Sequence, residues 1–155
     1  MEIERKYLIE TLPEGYEAFP SCHIEQGYLN TAPVVRVRRA DDDYYLTYKG
    51  KGLLAREEYN LPLTEEAYRH LIQKADGIIL TKRRFRIPLS TYQKDADPSL
   101  IIELDLFEGA YQGLKLAEVE FPSLEAAEAF TPPAWFGRDV TFSGEYQNSR
   151  LSAGR

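Results

Sequence analysis

Period two dominates the chain. Short runs alternate apolar and polar residues and end at Gly, Pro, Asp or Asn, which is the pattern of half-buried strands. It predicts strands near Glu2 to Ile9, His23 to Leu29, Val34 to Ala40, Asp43 to Lys49, Ala55 to Pro62, Ile79 to Ile87, Leu100 to Leu106 and Ala117 to Phe121. About eight strands suffice for a barrel or a sandwich. Asp41-Asp42-Asp43 reads as a hairpin turn and Gly50-Lys51-Gly52 as a looser one. Two segments have helical spacing instead. Thr64 can cap a helix with Glu65 and Glu66 in its first turn and Ala67, Leu71, Ile72 and Ala75 as its apolar stripe, and Gly77 can end it. Ser123 can cap a second helix through Phe130, stopped by Pro132 and Pro133, and a short third one fits Glu145 to Leu151.

The polar halves of the strands are charged. Residues two apart in a strand share a face. Glu2, Glu4 and Lys6 therefore lie together, as do Arg36 with Arg38, Thr47 with Lys49, Arg56 with Glu58, and Lys82 with Arg84 and Arg86. Glu103 and Asp105 oppose Ile102, Leu104 and Leu106, while Glu118 and Glu120 oppose Val119 and Phe121. Two structures suit this pattern. The charged faces can look into water, as in any half-exposed antiparallel sheet. Alternatively the sheet closes into a barrel with a charged lumen, which needs bound anions and cations to balance its side chains.

The chain has 155 residues with a net charge of −6. That length suits a single domain, 1–155. The acidic balance makes a general nucleic-acid binder unsuitable. Cys22 is the only cysteine, so no intrachain disulfide and no Cys-rich zinc site is expected. No apolar run approaches a membrane span and no apolar leader is visible. The expected setting is cytoplasmic, without membrane or nucleic-acid partners.

The order of the charged pieces resembles that of the CYTH family, the triphosphate tunnel metalloenzymes. Glu2-Ile3-Glu4-Arg5-Lys6 matches the family's Glu-x-Glu-x-Lys signature, and Gln26-Gly27-Tyr28-Leu29 looks like its second strand. Val35-Arg36-Val37-Arg38, Thr47-Tyr48-Lys49-Gly50, Arg56-Glu57-Glu58-Tyr59 and Lys82-Arg83-Arg84-Phe85 follow in family order. Glu103-Leu104-Asp105 and Glu118-Val119-Glu120 match the two acidic strands, and Gly137 to Thr141 with Tyr146-Gln147-Asn148 resembles the C-terminal segment. One departure stands out: Asn60 occupies a place where the family pattern often continues with another Glu.

The resemblance implies an α+β, mainly antiparallel fold: an about eight-stranded closed β-barrel, or tunnel, with a charged lumen and a few flanking helices. It implies a metal-dependent triphosphatase acting on a triphosphate-containing small molecule, most simply inorganic tripolyphosphate. Other activities on the same scaffold are a class IV-type adenylyl cyclase, a thiamine triphosphatase, or a non-catalytic module that binds polyphosphate or nucleotides. Hard oxygen donors suit Mg²⁺ or Mn²⁺. The implied metal ligands are Glu2 and Glu4 with one or both of Glu118 and Glu120, and Glu103 and Asp105 as further candidates. The implied phosphate clamps are Lys6, Arg36, Arg38, Lys49, Lys82 and Arg84, since Arg binds phosphate bidentately and Lys as a point charge. Lys6, Tyr28 and Glu58 are the candidate catalytic residues, Lys6 and Tyr28 for proton handling and Glu58 for orienting lysines or binding the metal. A homodimer is an expectation of the same resemblance.

Overall fold

The structure, a computed structural model, describes residues 1–154. Its strands are β1 (Glu2–Leu8), β2 (Ser21–Thr31), β3 (Val34–Ala40), β4 (Asp43–Lys49), β5 (Ala55–Arg56), β6 (Glu58–Pro62), β7 (Asp76–Pro88), β8 (Ile101–Phe107) and β9 (Lys115–Glu120). Its helices are α1 (Glu65–Ile72), α2 (Leu124–Ala129) and α3 (Asn148–Ser152), with three short 3-10 turns. The nine strands form one sheet in the order β5-β1-β9-β8-β7-β2-β3-β4-β6, and every pairing is antiparallel.

The ends of that order, β5 and β6, are neighbours in sequence. The segment expected as one strand from Ala55 to Pro62 changes partner at Glu57: Ala55 and Arg56 pair with β1, and Glu58 onward pairs with β4. The chain itself thus joins the two edges of the sheet, leaving a nearly closed barrel with few helices. A closed sheet also removes the unpaired edges that favour aggregation.

The two faces of the sheet have reversed the usual roles. The outward apolar residues of β1, β7, β8 and β9, including Ile3, Phe85, Ile87, Ile102, Leu104 and Val119, form one buried cluster with Phe121, Ala127 and Phe136. Helix α2 and the loops around Tyr16, Tyr92 and Trp135 cover it. Full burial of each such large aliphatic contributes roughly 1.5–3 kcal/mol, so the outside of the barrel is where much of the hydrophobic stabilisation resides. Helix α1 covers the outside of β2 and β3, close enough that a Cβ on Gly27 would collide with Ile72 and Ala75. Thr64 caps α1 by accepting from the Ala67 amide, and Ser123 caps α2 by accepting from Ala126, as the sequence indicates.

Gly77 does not end α1. It lies inside β7 with φ +68, and an added Cβ there would meet the Ser152 carbonyl oxygen. Its lack of a side chain admits the backbone of α3. Leu151 of α3 joins Tyr28, Val34, Leu80, Phe107, Leu116 and Val140 in a second apolar cluster. Most of these are lumen-facing positions at one end of the strands, so the C-terminal segment closes that end and the lumen becomes a cup. Among the described residues, no helix is long and apolar enough to cross a membrane.

Candidate functional site

The lumen holds a cavity of about 350 Å³ lined almost wholly by polar side chains. Glu2, Glu4 and Lys6 reach it from β1, Tyr28 from β2, Arg36 and Arg38 from β3, and Tyr45 and Lys49 from β4. Arg56, Glu58 and Asn60 complete one wall, and Arg84, Glu103, Glu118 and Glu120 the opposite one. Of the two structures compatible with the strand pattern, this is the enclosed one. Lys6, Arg36, Arg38, Lys49, Arg84 and Glu118 are all buried.

Buried charges are tolerable only when paired or hydrogen-bonded, and register supplies most of the pairs. Arg84 stands opposite Asp105 and bonds both its oxygens, at 2.8 and 2.9 Å. Lys6 stands opposite Glu118 at 3.8 Å, Lys49 opposite Glu58 at 3.2 Å, and Arg56 opposite Glu2 at 3.7 Å. Lys49 also bonds Glu2 at 3.0 Å. At the rim, Arg86 faces Glu103 at 3.0 Å.

Strand β3 breaks the rule. The cross-strand neighbours of Arg38 are Gln26 and Tyr45, and those of Arg36 are Tyr28 and Thr47, all four neutral. Arg38 donates from Nε to the Gln26 side-chain oxygen at 2.7 Å. Arg36 donates from Nη2 to Thr47 Oγ1 at 3.2 Å, while its buried Nε has no acceptor. Among the described residues neither guanidinium has a carboxylate within ion-pairing distance, although only 4% of Arg36 and 7% of Arg38 is exposed. Burial, then repulsion from Arg36 and Arg84, lowers the Arg38 pKa.

Lys82 and Asp105, candidates for phosphate and metal, are fully buried and outside the cavity lining. Lys82 Nζ lies 2.7 Å from Asp105 and donates to the Asn148 side chain at 3.1 Å. Burial outweighs Asp105, whose charge is shared with Arg84, and takes the Lys82 pKa down to about 7.

The sequence matches the CYTH domain family across residues 1–152. The chain belongs to that family. An inorganic triphosphatase of Nitrosomonas europaea is 37% identical over 97% of this chain and 96% of its own length. An inorganic triphosphatase of Acetivibrio thermocellus is 32% identical over 97% and 92%. The crystal structure of the inorganic triphosphatase NE1496 superposes with a TM-score of 0.70 at 33% identity, covering 99% of this chain and 95% of that one.

The CYTH membership raises the matter of a metal. Among the described residues no three His, Cys, Asp or Glu side chains are close enough to form a ready-made metal cage. Mg²⁺ does not require one, because one or two carboxylates plus substrate phosphates commonly complete its shell. The carboxylates here are arranged in crowded pairs. Burial, then the charges of Glu118 and Glu2, pushes the Glu4 pKa well above its usual range. Against burial, Lys6, Arg84 and Lys82 hold Glu118 well below its own, and the buried Glu118 Oε1 has no hydrogen-bond donor. Glu2 is raised by burial, while Glu58, despite burial, is lowered by its hydrogen bonds to Glu2 and Lys49. Hard oxygen donors with an orphaned buried acceptor fit a divalent cation. Glu120 lies exposed at the rim of the same cavity.

Several wall residues had no role in the sequence reading. Arg56 both lines the wall and pairs with Glu2 at 3.7 Å. Asn148 and Ser149 reach the cavity from α3. Thr47 donates to Asn60 at 2.6 Å, and Asn60 donates to Glu58 at 3.3 Å. Asn60 thereby links Thr47, the hydrogen-bond partner of Arg36, to Glu58. Lys6 and Tyr28 share the cavity, but the Lys6 ammonium donates to the Tyr146 carbonyl at 3.1 Å.

Proposed function

We propose that this protein hydrolyses inorganic triphosphate to pyrophosphate and orthophosphate in its charged cup, with Mg²⁺ or Mn²⁺. The observation that carries the reading is the pair Arg36 and Arg38: two adjacent, buried guanidiniums on a cavity wall whose cross-strand neighbours are all neutral. Two buried cations without counter-ions call for an anion, and guanidinium geometry suits phosphate oxygens. The cavity's acidic wall equally calls for cations, and a metal–polyphosphate complex answers both. That two CYTH relatives are inorganic triphosphatases supports inorganic triphosphate as the substrate.

Arg36 and Arg38 are the principal clamps on the triphosphate oxygens. Lys6, Lys49 and Arg56 add positive charge from the facing strands. Arg84 contributes field from the wall, with three of its N–H donors engaged by Asp105 and Glu103. Lys82 and Asp105 lie on the same face outside the cavity lining and brace Arg84. Glu2, Glu4 and Glu118, with Glu120 at the rim, would hold the divalent cation, which when bound neutralises phosphate oxygens and lowers the barrier to attack.

Hydrolysis needs a water in line with the terminal bridging P–O bond. As water oxygen bonds to the terminal phosphorus, the bridging bond breaks and its electron pair leaves with pyrophosphate. Glu58, on the cavity wall beside Lys49 at 3.2 Å, can accept the water proton, and Tyr28 can orient the water. The closed lower end of the cup restricts solvent around the phosphates, which strengthens each ionic contact.

The test is to incubate the protein with Mg²⁺ or Mn²⁺ and either tripolyphosphate or ATP, then measure orthophosphate, pyrophosphate and cyclic AMP. Equal amounts of orthophosphate and pyrophosphate from tripolyphosphate support the proposal. Cyclic AMP from ATP would reassign the site to a cyclase, and tight binding without turnover to a binding module.

A further inference from the structure

Gln26 is one of the largest fully buried side chains of the protein, and it is polar. It lies on β2 directly opposite Arg38 on β3, and opposite Leu80 on β7. Elsewhere in the lumen the residue across from a wall cation is usually a carboxylate: Asp105 for Arg84, Glu118 for Lys6, Glu58 for Lys49. Opposite Arg38 the chain instead carries the neutral isostere of glutamate.

The orientation of the Gln26 amide follows from its neighbours. Arginine only donates, so the amide oxygen must face Arg38 Nε, at 2.7 Å. The amide nitrogen therefore faces Tyr28 Oη, at 3.3 Å, and donates to it. One rigid group fixes two cavity residues at once. It directs the Arg38 guanidinium without neutralising it. It also makes the Tyr28 oxygen an acceptor on the protein side, which leaves the Tyr28 O–H free to point into the cavity.

We propose that Gln26 is a positioning residue for the triphosphate site, one that aims Arg38 and Tyr28 at the ligand and, by being uncharged, reserves the Arg38 charge for a phosphate oxygen. This role rests on the triphosphate reading of the cavity. A carboxylate at this position would form a buried ion pair with Arg38 and accept the Tyr28 proton, turning both groups away from the ligand.

The informative variants are Gln26→Glu and Gln26→Met, each measured for thermal melting, for tripolyphosphate affinity by calorimetry in EDTA, and for kcat and KM with metal. Gln26→Glu is expected to melt no lower than wild type, to bind tripolyphosphate at least about tenfold more weakly, and to lose kcat at saturating substrate. Gln26→Met keeps the volume but neither hydrogen bond, and is expected to keep more affinity than Gln26→Glu, since the Arg38 charge survives. The metal-free affinities separate this proposal from the hydrolase reading: a wild type that binds but does not turn over defeats only the latter. Gln26→Glu binding within twofold of wild type overturns the role. So does a loss of affinity that tracks an equal loss of melting temperature in both variants, and so does a wild type with no affinity for tripolyphosphate.

Discussion

Strands β3 and β7 each turn a pair of cations toward the lumen, and the pairs have opposite surroundings. Arg36 and Arg38 on β3 touch only neutral partners, Thr47 and Gln26. Lys82 and Arg84 on β7 are tied to Asp105, and Arg84 also to Glu103. The same residue types at the same strand spacing thus divide into two tasks. Charges with built-in counter-ions brace the wall, and charges without them await a ligand. Burial alone does not separate the two, since all four are buried. The identity of the residue across the ladder does.

The largest expected effect concerns the bracing pair. Asp105→Asn leaves Lys82 and Arg84 uncompensated in the interior, where breaking a buried pair costs about 3–5 kcal/mol. Denaturant unfolding should show that loss in the absence of any ligand. On β3 the expectation reverses. Arg36→Ala and Arg38→Ala should each lower kcat/KM for tripolyphosphate by about 10²–10³-fold, with melting temperatures at or above wild type because a buried unpaired charge is removed. A stability loss in Arg38→Ala as large as that in Asp105→Asn would break the distinction.

Lys82→Met sharpens the comparison further. It replaces a buried amine with an apolar side chain of similar length and leaves the Arg84–Asp105 bonds in place. Tripolyphosphate affinity should stay within about threefold of wild type, with stability little changed, because swapping a buried charge for a well-packed apolar group is often neutral or stabilising. The smallest effect is in the pH dependence. The Lys82 pKa is about 7 in the folded protein against an ordinary 10.5. Between those values the unfolded chain binds a proton that the folded chain does not, so this residue makes stability rise with pH across that window. Urea midpoints measured from pH 7 to 10 should rise more steeply for wild type than for Lys82→Met.

Much of this was legible from alternation. The period-two pattern placed Glu2, Glu4, Lys6, Arg36, Arg38, Lys49 and Arg84 on one face each, and all of them reach the cavity. Their membership of one enclosed wall came from the order of motifs, since alternation alone also suits a sheet facing water. What stayed hidden depends on register and on distant segments. Nothing local to Lys82 or Asp105 says that β7 and β8 align so as to pair Arg84 with Asp105 and leave both Lys82 and Asp105 out of the cavity lining. Glu57 gives no local sign that the strand around it changes partners. Gly77 looked like a helix terminator because the α3 backbone that needs its missing side chain lies far along the chain. Gln26 is a neutral residue whose meaning lies in the register, since nothing in its own strand says that it faces Arg38.

A crystal structure with tripolyphosphate bound would test the division of labour most directly. The account predicts phosphate oxygens within hydrogen-bonding distance of the Arg36 and Arg38 guanidiniums, with Lys82 still on Asp105. An anion held by Lys82 after Asp105 has let go, with Arg36 and Arg38 untouched, would contradict it.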